Sequence, residues 1–106
     1  MDSEIKNEDS FGIPFYEYGQ PFLGSFKGMR YRIERNPMEV VAYKPKDKRG
    51  EATFKVTIWP EPFSFENTPD EKKESKEFPF DEEGKRLLTE WLNEQYRKDP
   101  KRWKKD

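Results

Sequence analysis

Arg30, Arg32, Lys55 and Trp59 are the side chains whose types and spacing could do chemistry together in this chain. Arg30 and Arg32 alternate with apolar residues in one segment, and Lys55 and Trp59 do so in another. Pairing two such segments as neighbouring strands puts their alternate residues on one surface. Cations there meet phosphate oxygens, and an indole beside them stacks on a base. That combination is what unspecific binding of single-stranded nucleic acid requires. The cluster Lys101-Arg102-Trp103-Lys104-Lys105 offers a further contact for phosphate or a membrane surface, although a frayed, solubilising tail accounts for it more simply.

Other chemistries lack their residues. With no Cys and no His, the chain has no disulfide, no thiol nucleophile, no imidazole-based triad and no zinc site built on those ligands. The lack of disulfides points to a reducing cytoplasm, and no apolar run approaches the length of a signal peptide or a membrane span. The acidic run 70–83 has neither the ligand spacing nor the central Gly of a calcium loop, and Lys72, Lys73 and Lys76 interrupt it. Neither a Walker pattern nor GxGxxG occurs, the acetyl-coenzyme A loop of acetyltransferases is missing, and nothing marks two carboxylates as held in one cleft. The expectation is a non-catalytic module with no cofactor, no metal and no membrane span.

The elements that must position these residues are few. At 106 residues there is room for one domain. Only 31% of residues are hydrophobic and 41% are charged, but nine Phe, five Tyr and three Trp bury large areas on few side chains. The formal charge of −1 hides four blocks of alternating sign: −4 over residues 1–20, +5 over 21–60, −6 over 61–83 and +4 over 84–106. The basic block is the strand-forming one. Residues 1–10 are polar and acidic and read as a disordered tail; residues 11–98 form one domain, and 99–106 a basic C-terminal tail.

Within the domain, residues 11–23 carry Phe11, Ile13, Phe15, Tyr16, Tyr18, Phe22 and Leu23 among Gly and Pro. This arm packs over the core, or docks on a partner or second subunit. Residues 23–26 form a short strand ending in a Lys27-Gly28 turn. In 29–35, Met29, Tyr31 and Ile33 share one face and Arg30, Arg32 and Glu34 the other. Asn36-Pro37 breaks that strand, and residues 39–44 form another around Val40, Val41 and Tyr43. After the polar loop 45–50 comes the strongest strand, 52–59, with Phe54, Val56 and Ile58 inward and Thr53, Lys55, Thr57 and Trp59 outward. An acidic connection spans 60–75, in which Thr68-Pro69-Asp70-Glu71 has the form of a capping box. Residues 76–80 form a last strand, which Pro79 confines to an edge.

Asp81 caps a helix over 82–97 whose apolar stripe is Leu87, Leu88, Trp91, Leu92 and Tyr96, with Lys85, Glu90, Asn93, Glu94 and Arg97 opposite. Pro100 ends it. The fold class is therefore α+β: an antiparallel sheet of four to five strands with one face covered by the C-terminal helix.

From Gly28 onward this order of parts is similar to the PC4-like family, small dimeric proteins that bind single-stranded DNA. The motifs that carry the likeness are Gly28-Met29-Arg30-Tyr31 opening a strand, residues 54–59 ending in an aromatic before Pro, and Lys76-Glu77-Phe78-Pro79-Phe80-Asp81-Glu82-Glu83 running into a helix cap. The resemblance covers about residues 28–97. It implies that Arg30, Trp59 and Lys76 contact phosphate or stack on bases, and that the helix helps form a dimer. Departures are the long acidic link 60–75, Pro79 in the last strand, and Thr57 and Ile58 where the family usually has an Arg before the strand-end Trp.

Two functional readings follow. In the first, the basic sheet face (Arg30, Arg32, Lys55, Trp59, with Lys76) binds single-stranded nucleic acid. In the second, the chain is a protein-interaction or regulatory module that uses the arm 11–23 or a sheet edge to form a stable dimer or hetero-complex. Exposure of Trp59 among Arg30, Arg32 and Lys55 favours the first. Its burial under Phe63 and Phe65 removes that reading in this form.

Overall fold

Lys27 and Gly28 both take positive φ, 48° and 95°, the backbone of a two-residue turn whose twist matches paired strands. That turn joins β1 (Phe22–Phe26) to β2 (Met29–Asn36), and β3 (Thr53–Pro60) and β4 (Glu74–Pro79) complete an antiparallel sheet in the order β1-β2-β3-β4. The computed structural model describes residues 4–6, 10, 12–60 and 64–103. A five-residue helix, α1 (Ile13–Glu17), precedes the sheet; α2 (Glu82–Lys98) and the single turn α3 (Pro100–Trp103) follow it. The α+β class and the C-terminal helix against the sheet are as the sequence reads.

Register fixes the two faces. Ile58 pairs with Tyr31 and Val56 with Ile33, so the two apolar sets share one face and are buried there. α2 covers that face with Leu88 and Leu92, while Trp91 meets Phe78 (5.9 Å) and Tyr96 meets Phe26 (5.1 Å). The helix begins where expected, because Asp81 accepts a hydrogen bond from the Gly84 N–H at 2.7 Å. Gly84 is itself required: a Cβ there would lie 1.7 Å from the Pro79 carbonyl oxygen.

Several readings of the sequence need correction. Residues 39–44 form no strand. Proline at 37 and 45 bounds the segment, and both the Val41 and Ala42 N–H groups donate to the Glu17 carbonyl, at 2.7 and 3.0 Å, leaving only a bridge between Tyr18 and Val40. Thr68 does not cap a helix; its hydroxyl donates to the Ser64 carbonyl at 2.6 Å, and one 3-10 turn follows at Asp70–Lys72. Asn93 and Lys85, assigned to the solvent side of α2, are buried. The Asn93 side chain exchanges two hydrogen bonds with the Ile5 backbone, at 2.6 and 2.8 Å, so Ile5 is anchored in the core although the sequence places it in a tail. At the other end Trp103 is buried beneath the β1–β2 turn, its indole N–H donating to the Gln95 carbonyl; the frayed-tail reading fails there.

Candidate functional site

The outer face of the sheet brings together four of the five sequence-selected residues and separates the fifth. Arg30 lies directly opposite Trp59, Arg32 opposite Thr57, and Lys55 opposite Glu34. Lys76 pairs with Val56, whose side chain is in the core, so Lys76 stands on the helix side. There it lines a groove with Glu90, Trp91 and Glu94. A shared surface of Arg30, Trp59 and Lys76 is thus ruled out by strand parity.

Trp59 is only 2% exposed. The chain after β3 returns over the outer face, and the Phe65 ring meets the indole edge-on at 5.4 Å. Arg32 and Lys73 both lie over the Phe65 ring, at 4.4 and 4.0 Å. Phe63, the other residue expected on Trp59, lies outside the described residues. A base cannot stack on an indole already covered in this way. Lys55 is flanked on its face by Glu34 and Glu77, which reduce the field it offers an anion. The Glu77 carboxylate also accepts from the Thr53 hydroxyl (2.5 Å) and the Asn36 amide (3.1 Å), and these bonds hold it below the usual carboxylate range. In the C-terminal cluster Arg102 pairs with Glu74, and Lys104 and Lys105 lie outside the described residues.

A second surface is apolar. Of the five large hydrophobic residues exposed among the described ones, four (Tyr18, Met38, Val40 and Tyr43) belong to the end of the arm and to the loop after β2. Tyr43 is 83% exposed and its ring meets Tyr18 edge-on at 5.7 Å. Two arginines hold this loop in place. Arg35, 2% exposed, donates to the carbonyls of Pro37 (2.7 Å) and Arg49 (3.1 Å). Arg49 donates to the carbonyls of Lys44 (2.9 Å) and Ala42 (3.2 Å) and to the Glu17 carboxylate (2.5 Å).

The sequence contained the signal for Arg35: it continues the inward parity of Met29, Tyr31 and Ile33. It contained none for Arg49, whose partners are mostly backbone carbonyls.

Among the described residues no group of three or more acidic side chains is placed to hold a metal ion, and no helix is long and apolar enough to cross a membrane. Compared with models of protein families, with curated proteins and with solved structures, the chain matches none. The likeness to the PC4-like family therefore rests on the sequence motifs alone.

Proposed function

We propose that this chain is a protein-interaction module, and that the cluster of Tyr18, Met38, Val40 and Tyr43 is its contact surface for a second copy. The observation that carries the reading is the exposure of those four apolar side chains, with Tyr18 against Tyr43 and bridged to Val40, around a loop fixed by Arg35 and Arg49. Contiguous apolar surface of this kind marks contact sites, and a loop already held in one geometry loses little entropy on docking.

Light scattering across a concentration series tests this. A dimer that becomes a monomer in Val40→Asp, with the far-ultraviolet spectrum unchanged, is the expected outcome. A protein that stays monomeric up to about 1 mM, where contacts worth about 4 kcal/mol would show, overturns it. Titration of a labelled single-stranded oligonucleotide at about 50 and about 200 mM salt addresses the competing nucleic-acid reading. Binding that collapses with salt would restore that reading, with Arg30 and Arg32 rather than Trp59 as its basis.

A further inference from the structure

β4 is the last strand of the sheet, paired with β3 on one side and with no described strand on the other. Every residue along it except Phe78 is exposed. The open edge of such a strand presents backbone N–H and C=O groups that a further strand can pair. α2 packs on β4 and β3, and a groove of about 320 Å³ runs between α2 and β4. Lys76 and Phe78 line it from the strand, and Leu87, Glu90, Trp91 and Glu94 from the helix. No β3 residue takes part, so the groove lies toward the open edge.

The apolar part of the groove is Phe78, Leu87 and Trp91, of which Leu87 and Trp91 stay partly exposed. An open edge with side-chain pockets beside it is the geometry of strand addition: main-chain hydrogen bonds give affinity, and the pockets select side chains. Charge says which strand. Two carboxylates border the groove against one cation, and that cation, Lys76, lies over the Phe78 ring at 5.6 Å. Glu90 is paired with Arg86, whereas Glu94 has no ion pair among the described residues. A lysine or arginine entering here meets a carboxylate with no cation of its own. A second copy's β4, with Glu74 and Glu77 against one lysine, is itself acidic, and like charge disfavours its pairing at this edge.

We infer that the β4 edge and its groove bind an extended basic segment of another protein as a fifth strand. One apolar side chain of that segment rests on Leu87 and Trp91, and a lysine or arginine two residues away, on the same face, meets Glu94. This goes beyond the second-copy contact proposed above and does not rest on it, because the two surfaces share no residue.

The test is an NMR titration of the nitrogen-labelled full chain at constant ionic strength with the capped peptide Thr-Lys-Thr-Phe-Thr-Lys-Thr, and with Thr-Glu-Thr-Phe-Thr-Glu-Thr as its acidic counterpart. Saturable shifts of the amides of residues 75–78 and of the Trp91 indole N–H are expected with the basic peptide, at a Kd of about 1 mM or tighter. The acidic peptide should bind about fivefold more weakly or worse, the scale of exposed charge contacts. Glu94→Lys, at an exposed position, should reverse the preference between the two peptides, which a merely structural change would not do. Methylating alternate backbone nitrogens of the basic peptide should abolish binding in at least one of the two phases, because a paired strand donates from alternate residues. Shifts that do not saturate, shifts centred on another surface, a preference unchanged in Glu94→Lys, or full binding by both methylated forms would each overturn the proposal.

Discussion

The two faces of the sheet are both covered, but by different physics. On the helix face, α2 lays Leu88 and Leu92 onto Ile33, Val56 and Ile58, and every one of these side chains is buried. On the outer face the Phe65 ring meets Trp59 and contacts Arg32 and Lys73. The first cover is continuous apolar burial and scales with area. The second is an aromatic contact plus two cation–π contacts from largely buried cations, each worth about 0.5–2 kcal/mol. The helix face therefore holds the larger, continuous part of the apolar core, and the outer cover is a smaller lid of aromatic and cationic contacts.

Substitutions that remove an equal-sized ring from each face test this difference most strongly. Phe54 is fully buried against Tyr16 (5.2 Å) and Phe80 (4.6 Å). Phe54→Ala should lower the stability measured by urea unfolding by about 4 kcal/mol, enough to unfold much of the population. Phe65→Ala should cost only about 1–2 kcal/mol while making Trp59 newly accessible to a fluorescence quencher. Equal losses for the two would show that the outer segment belongs to the core and would erase the distinction.

Tyr16 sharpens the account of the inner face. Its hydroxyl is buried, and burial pushes its pKa well above the ordinary tyrosine value against the opposing effect of the Ser10 side chain. Tyr16→Phe removes the hydroxyl and keeps the ring, so it is expected to change stability at neutral pH by no more than about 1 kcal/mol. The pH dependence has a definite sign. Below about pH 10 the phenol is neutral in both states. Above it the unfolded chain ionises while the folded one holds its proton, so stability falls as pH rises. That alkaline decline should be shallower in Tyr16→Phe, measured as the urea midpoint from pH 9 to pH 11.

The smallest expected effect is on the lid. Lys73→Gln removes one cation from the Phe65 ring and should cost about 0.5 kcal/mol, with a small rise in Trp59 quenching and no change at Phe54.

Much of the fold was legible. Alternation along residues 29–33 and 54–58, the turn residues Lys27 and Gly28, and Asp81 before the apolar stripe of α2 each assigned a local structure, because each is a local preference. The site was less so. Residues 39–44 have the composition of a strand, yet their N–H groups go to Glu17, a partner 24 residues away for Val41. Asn93 is polar, but its amide fits the Ile5 backbone and is buried for that reason.

What the sequence determined by itself is parity within each strand, since side chains alternate by backbone geometry alone. Parity between strands depends on register, which is set by pairing and turn length. Only the tertiary structure could place Lys76 opposite Val56, on the far side of the sheet from Arg30. Cover likewise came from the tertiary structure. Nothing in the alternation of residues 53–59 says whether Trp59 faces water, because the ring that shields it arrives from a separate segment and is held there by Arg32 and Lys73.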